Sequence, residues 1–320
     1  MMIPTNARTT IAPLAVLAGI AGLAALMAGA AAPAQAAWAV KHEETLQRTF
    51  QLSAGGSGEA GQPGNRLVEI DNFSGAVRVR SHPGNEVTLS VHETWAADSA
   101  ARLEQARREV RLDIAETGGH LRLFVDGPFR SRSGGGGTHF HGWESLGYEA
   151  KLDFELEVPA GVDLIARTVN DGEVRVTGVG GHFDASNVNG PVTLEHMGGP
   201  GIARTVNGPV SVSFARNPAA ACSFETVNGR IDVTLLAGLA ADLRLRTLNG
   251  EIYTDYDYSY GDLPPSPPTS QTPPADRSPG RSHGHHYRRH GEFGARIAGG
   301  GPELAFSTIN GDILIHRQGA

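Results

Sequence analysis

The sequence predicts an all-β protein: a β-solenoid, like a single-stranded parallel β-helix, with coils of about 20 residues behind an N-terminal strand-rich cap that contains one helix. Three observations predict it. First, a short motif recurs six times, at Thr168-Val169-Asn170, Asn187-Val188-Asn189, Thr205-Val206-Asn207, Thr226-Val227-Asn228, Thr247-Leu248-Asn249 and Thr308-Ile309-Asn310. Glycine follows directly in five copies and after an inserted Asp171 in the first, and the asparagines lie 19, 18, 21, 21 and 61 residues apart. Second, apolar and polar residues alternate with period two on both sides of each motif, the pattern of strands. Third, 42 glycines and 19 prolines in 320 residues supply frequent turns without reaching the level of wholesale disorder.

The elements follow in chain order. Residues 1–36 read as a signal peptide: Arg8 gives the positive start, Ile11 to Ala32 is apolar, and Ala34-Gln35-Ala36 is a small-x-small cleavage site. An uncleaved membrane anchor is the alternative for this segment. No cysteine lies near the cleavage site, so the chain is not a lipoprotein, and no later stretch approaches a membrane span. The expected location is therefore outside the cytoplasm, in the periplasm or at the cell surface. Residues 37–161 then form the capping segment. Leu67 to Ile70, Ala76 to Arg80 and Val87 to Val91 read as strands, with Asn72-Phe73-Ser74-Gly75 as a degenerate copy of the repeated turn. A helix is expected over Ala96 to Val110, opened by Asp98 or Ser99 and carrying Leu103, Ala106 and Val110 on one stripe. Strands at Arg111 to Ile114, Leu121 to Val125 and Leu152 to Val158 complete the segment, and Gly134 to Gly137 reads as a loop.

Residues 162–317 hold the repeats. Ahead of each turn, Leu164/Ala166, Phe183/Ala185, Cys222/Phe224, Leu243/Leu245 and Leu304/Phe306 share an inward face, while Arg167, Ser186, Arg204, Glu225, Arg246 and Ser307 point the other way. After the glycine, Val174/Val176, Val192/Leu194, Val210/Val212, Ile231/Val233 and Ile313/Ile315 resume the inward face. Asn-Gly is also a strong hairpin signal, so an antiparallel β meander is the alternative architecture. A solenoid better explains why each column keeps its chemistry, since stacked Asn170, Asn189, Asn207, Asn228, Asn249 and Asn310 could hydrogen-bond along the ladder. Residues 258–296 read as a disordered Pro/His-rich insertion.

A secreted leader, a strand-rich start with one helix, and the segment Phe154 to Gly161 ahead of repeated Thr-hydrophobe-Asn-Gly units resemble the bacterial putative-adhesin family of unknown function. The resemblance covers most of Phe50 to Arg317 except the insertion. It implies an exported β-solenoid and carries no catalytic residues.

Composition narrows the function further. A net charge of -7 offers no concentrated basic footprint, which argues against nucleic acid. One cysteine, Cys222, precludes an intramolecular disulfide, and its inward position makes it a buried thiol. Arg167, Arg204, Arg244 and Arg246 form an outward column that could hold an anionic polymer, with a solvated ion-paired face as the plain reading. His283, His285, His286 and His290 could bind a divalent metal, with His139 and His141 as further ligands if the fold brings them near. Together with Arg288 and Arg289 they could instead contact acidic envelope polymers. Stacking would place Glu251 and Asp312 in one column, with Arg230 a coil earlier, at the separation of a retaining glycosidase pair. Glu173, Pro191 and Pro209 share that column and look like a solvated rim. Tyr253, Tyr256, Tyr258 and Tyr260 could stack on sugar rings. The sequence carries no nucleophile-elbow, zinc-protease or phosphate-loop motif and implies no cofactor. The expected function is a non-enzymatic envelope or surface protein that binds envelope polysaccharide or another surface protein, touching membrane only through an uncleaved leader. A polysaccharide-active enzyme and a metal-binding envelope protein are the alternatives.

Overall fold

The first strand, β1 (Val40–Gln51), is twelve mostly polar residues with little apolar content. The computed structural model describes residues 38–52, 66–130, 146–260 and 293–319. The leader, His139, His141, the proline run and the four clustered histidines all lie outside the described residues. So does the sequence evidence for export. Among the described residues, no helix is long and apolar enough to cross a membrane.

Among the described residues the protein is all-β with one helix. After β1 come β2 (Leu67–Asp71), β3 (Val77–His82), β4 (Glu86–Ala97), α1 (Ala100–Glu109), β5 (Arg111–Thr117), β6 (His120–Asp126) and β7 (Tyr148–Pro159). The helix starts later than its apolar stripe suggests. Ala96 and Ala97 are held in β4 between β1 and β7, and Ser99 caps α1 by accepting the Arg102 N–H at 3.3 Å. The repeats follow as β8 (Asp163–Arg167), β9 (Val174–Thr177), β10 (Phe183–Ser186), β11 (Val192–Met197), β12 (Gly201–Arg204), β13 (Val210–Phe214), β14 (Cys222–Glu225) and β15 (Ile231–Leu235). Last come β16 (Ala241–Asn249), β17 (Ile252–Thr254), β18 (Ser259–Tyr260), β19 (Phe293–Ile297), β20 (Glu303–Asn310) and β21 (Ile313–Arg317).

These strands build two mixed sheets. The first runs β1-β4-β7-β3-β9-β11-β13-β15-β21-β17, and the second β18-β19-β16-β20-β14-β12-β10-β8-β2-β6-β5. Each Asn-Gly turn carries the chain from the second sheet into the first, so it closes no hairpin. Equivalent strands of successive repeats pair in parallel, Ala166 beside Ala185 beside Ala203 beside Phe224. β2 and β3 join the same ladders through β8 and β9, and the bridge between Ser74 and Asn170 aligns the degenerate turn with the others. Antiparallel pairing is confined to the ends, at β1-β4-β7, β5-β6 and β16-β19-β18.

The inner faces of the two sheets share one core. Period-two alternation puts Leu164, Ala166, Phe183, Ala185, Phe224, Leu243 and Phe306 into it from the second sheet. Val174, Val176, Leu194, Val212, Val233 and Ile315 enter from the first. Phe183, Phe214, Phe224 and Phe306 stack through the centre with ring centroids 6.4, 6.3 and 5.1 Å apart.

Spatial order departs from chain order at the end. β20 lies between β14 and β16, and β21 between β15 and β17. The chain thus lays down β16 and β17 one strand away from β14 and β15, then returns to fill the gap. The link into β20 passes the link into β16, where a Cβ on Gly301 would lie 3.0 Å from the Ala240 carbonyl carbon. Connections seldom cross in this way at one end of a sheet.

Candidate functional site

The repeated turn is a stack of dedicated columns. In the asparagine column each amide donates to the oxygen of its neighbour: Asn189 to Asn170 at 2.7 Å, Asn207 to Asn189 at 2.9 Å, Asn228 to Asn207 at 2.8 Å, Asn310 to Asn228 at 2.7 Å and Asn249 to Asn310 at 2.7 Å. The backbone N–H of Asn207 donates to the Val188 carbonyl, and the other rungs repeat this at 2.8 Å. Two residues earlier, a buried Thr or Asn donates to the glycine carbonyl of the preceding repeat. Thr168 reaches Gly75 at 2.8 Å, Thr205 reaches Gly190 at 2.9 Å, Thr226 reaches Gly208 at 2.9 Å, and Asn187 reaches Gly172 at 3.0 Å. This shared task explains why Asn187 can replace Thr.

Stacking, not a left-handed backbone, is what requires glycine at Gly190, Gly229 and Gly250, while Gly75, Gly208 and Gly311 also have positive φ. A Cβ on Gly229 would lie 2.5 Å from the Gly208 carbonyl carbon and 3.0 Å from Pro209 N, although Gly229 itself has no left-handed φ. Likewise, none of the ladder asparagines has positive φ.

Between the Thr and Asn columns stands a column that the sequence reading left unassigned: Val169, Val188, Val206, Val227, Ile309 and Leu248 in spatial order. It faces outward, with Val206, Ile309 and Leu248 exposed by 38%, 45% and 52%. The signal was present in the sequence. Continuing the alternation from inward Ala166 through Arg167 and Thr168 puts Val169 outside, and the same count applies in every copy. Of its members only Val169 packs against the core, so aliphatic residues in the rest of the column serve no core among the described residues.

From Val169 to Ile309 this column forms one wall of a groove of about 560 Å³ on the outer face of the second sheet, and Leu248 and Arg246 stand one strand beyond its end. The opposite wall is the outward column of Arg167, Ser186, Arg204, Glu225 and Ser307. Arg130 lies at one end, paired with Asp71 at 2.8 Å and set 4.4 Å over the Phe124 ring. There the chain covers the column itself. Phe73 holds the position of the valines and is buried under Phe129, their rings stacked with centroids 4.0 Å apart. A second concavity of about 1110 Å³ adjoins on the same outer face, floored by Ile165, Asp184 and Ile202 and edged by the paired glycines at 180–181 and 198–199.

The four outward arginines are not equivalent. Arg167 and Arg204 share Asp184, at 2.6 and 3.6 Å, which cancels much of their pull on an anion. Arg244 stands one row over and pairs with Glu303 at 3.0 Å. Arg246, level with Ser307, makes no ion pair among the described residues. The outer face of the first sheet is different again, a half-exposed lattice in which Arg78, Glu173, Arg175 and Glu195 pair at 2.9 to 3.2 Å. Such pairs contribute little stability.

Glu251 and Asp312 do stand in adjacent rungs, and Asp312 lies between Glu251 and Arg230. Asp312 accepts the Glu251 backbone N–H at 2.9 Å, and the Glu251 carboxylate accepts a hydrogen bond from the Tyr253 hydroxyl. Both belong to an exposed rim and line neither concavity described above. Tyr256 is buried, its hydroxyl donating to the Leu236 carbonyl at 2.9 Å and its pKa pushed up to about 12 by burial. It therefore offers no ring to a sugar, while Tyr253 and Tyr258 remain exposed. Burial likewise pushes the Cys222 thiol up to about 11. Among the described residues, no group of three or more His, Cys, Asp or Glu side chains is placed to hold a metal ion.

No family model and no curated protein matches the chain. Among solved structures it is similar to a putative cell adhesion protein from Clostridium sporogenes, with 7% identity and a TM-score of 0.41 over 87% of this chain and 100% of that one. It is also similar to a putative adhesin from Bacteroides fragilis, with 8% identity and a TM-score of 0.27 over 86% and 97% of the two chains. A putative lipid binding protein from Parabacteroides distasonis gives 10% identity and a TM-score of 0.26 over 85% and 96%. These likenesses are too distant to carry an argument about function.

Proposed function

We propose that the protein is an exported, non-enzymatic β-solenoid that binds an extended envelope or cell-surface ligand along the outer face of its second sheet. The parallel register of equivalent strands and the unbroken asparagine chain support the solenoid reading. The observation that carries the binding reading is the groove of about 560 Å³ that runs across successive repeats. It presents the same outward positions at every rung, which suits a ligand that is long rather than compact. The occupied carboxylates of Glu251 and Asp312 give no support to glycoside hydrolysis.

The test is a pull-down of isolated envelope fractions and a glycan array with three proteins: the mature chain, the chain lacking residues 261–292, which leaves β18 and β19 intact, and the Arg204→Glu, Arg246→Glu double variant. Binding by the first two and at least tenfold weaker binding by the third is the expected result. Binding that disappears with the deletion alone would move recognition to the insertion and refute the proposal, as would no binding by the mature chain.

A further inference from the structure

We propose that the aliphatic column seats the acyl chain of a single-chain anionic amphiphile, such as a long-chain fatty acid, with its head group at Arg246. The inference rests on reading the outer face of the second sheet as the binding face and names the ligand class for its groove.

Four observations select this occupant. Six branched aliphatic side chains stand in a straight row at the strand spacing of about 4.8 Å, giving a stripe about 24 Å long. An extended peptide repeats its same-side residues every ~6.8 Å and cannot keep step with that row, whereas a polymethylene chain has no register to lose. Among the described residues no aromatic ring lines the groove, so a sugar finds no platform there. The third observation is internal: at the head of the column the chain covers Phe73 with the apolar ring of Phe129, so the position already filled by the protein takes an apolar group.

The fourth is charge. Arg130 at the covered end is committed to Asp71, and Arg167 and Arg204 share Asp184. Arg246 and the half-exposed Leu248 stand together at the opposite end, which no described residue covers. Arg246 is the member of this column without an acid partner among the described residues. A carboxylate or phosphate there would gain a charge-assisted hydrogen bond while its chain ran back over Ile309, Val227 and Val206. The amphiphile would lie head outward and tail toward Phe129.

The experiment is titration of the mature chain with a dansyl-labelled long-chain fatty acid below its aggregation concentration, with displacement by palmitate. Expected are saturable binding, at least tenfold weaker binding in Val206→Asp and Ile309→Asp, and no change in Ser211→Asp, which puts the same charge on the exposed face of the first sheet. Arg246→Glu should weaken the labelled acid at least fivefold and leave a labelled long-chain alcohol unchanged. Leu248→Asp, at the most exposed position, serves if either column variant fails to melt cooperatively. Undiminished binding in folded column variants overturns the proposal. So does binding to anionic phospholipid vesicles without binding of the monomeric acid, which would mean a membrane-surface contact. Envelope binding without fatty-acid binding would remove the acyl assignment and leave the binding face standing, whereas loss of both would remove the face as well.

Discussion

Replacing Gly229 by alanine tests whether the repeats are held by stacking. The new Cβ would lie 2.5 Å from the Gly208 carbonyl carbon and 3.0 Å from Pro209 N, and both are backbone atoms that no side-chain rotation can move. The two repeats must part locally. The hydrogen bonds at risk are Thr226 Oγ1 to Gly208 O at 2.9 Å, Gly208 N–H to Asn228 O at 3.0 Å and Val210 N–H to Arg230 O at 3.0 Å. At about 0.5–1.5 kcal/mol each, their loss costs about 3 kcal/mol. In a domain of this size that lowers the melting temperature by roughly 6–12 °C. Gly238→Ala is the control, because a Cβ there meets nothing within 4 Å and the residue has no positive φ. It should be neutral or slightly stabilising. Calorimetry of the mature protein reads both. A Gly229→Ala melt within about 2 °C of wild type would refute the stacking argument.

Other expectations follow from the same geometry. Asn207→Ala removes its side-chain bonds to Asn189 and Asn228, at 2.9 and 2.8 Å, and should lose about 1–2 kcal/mol in urea denaturation. Burial, and then the like charge of Glu44 directly across the β1-β4 ladder, raise the Glu93 carboxyl above its ordinary value. The folded chain therefore holds that proton more tightly than the unfolded chain, and stability is lost as pH rises through the raised value. Glu93→Gln should stabilise at neutral pH by up to about 1 kcal/mol, a gain that vanishes below the ordinary carboxylate range; equal gains at both pH values would contradict it. Cys222, with its thiol pushed up to about 11 and buried, should resist iodoacetamide at pH near 8 until the chain is unfolded, as mass spectrometry would show. A chain stopped after Gly301 lacks the strands that separate β14 and β15 from β16 and β17. It should lose cooperative melting, and limited proteolysis should cut within Ala241–Thr254.

The repeated turn was legible because each of its positions performs a single task in every copy. Thr and Asn bond to the previous glycine carbonyl, the second Asn bonds to its own kind, and glycine makes room for the rung below. The two inward faces were legible for the same reason, as their period-two apolar residues have no competing role. Elsewhere the pattern carried less. β1 has only Leu46 and Phe50 packed against the core among charged neighbours, so it pairs by backbone and leaves almost no hydrophobic trace. The start of α1 was obscured because Trp95, Ala96 and Ala97 suit a helix as well as the strand that holds them. The reversed order of the last two repeats follows from long-range pairing that no local pattern encodes. At the groove the arginines were visible but their acid partners were not, since Asp184 meets Arg167 and Arg204 only through the register of β8, β10 and β12. The aliphatic column was visible and overlooked, because valine in a strand is ordinarily counted as core.

The final repeat, lodged between two that precede it in the chain, has a consequence for how such a molecule is made and how it can change. Tandem repeats usually lengthen at a free end, where a copied unit adds to the stack without disturbing its neighbours. Here the last repeat is a wedge: Asn310 sits between Asn228 and Asn249, so a copy appended after Arg317 could not stack directly on β21, whose neighbours β15 and β17 are already in place. New units enter most simply by duplication within the uninterrupted run from β8 to β15. During synthesis, likewise, β16 and β17 emerge before the strands on which they rest. The stack closes only once β20 and β21 have followed them out and slotted in beside β14 and β15.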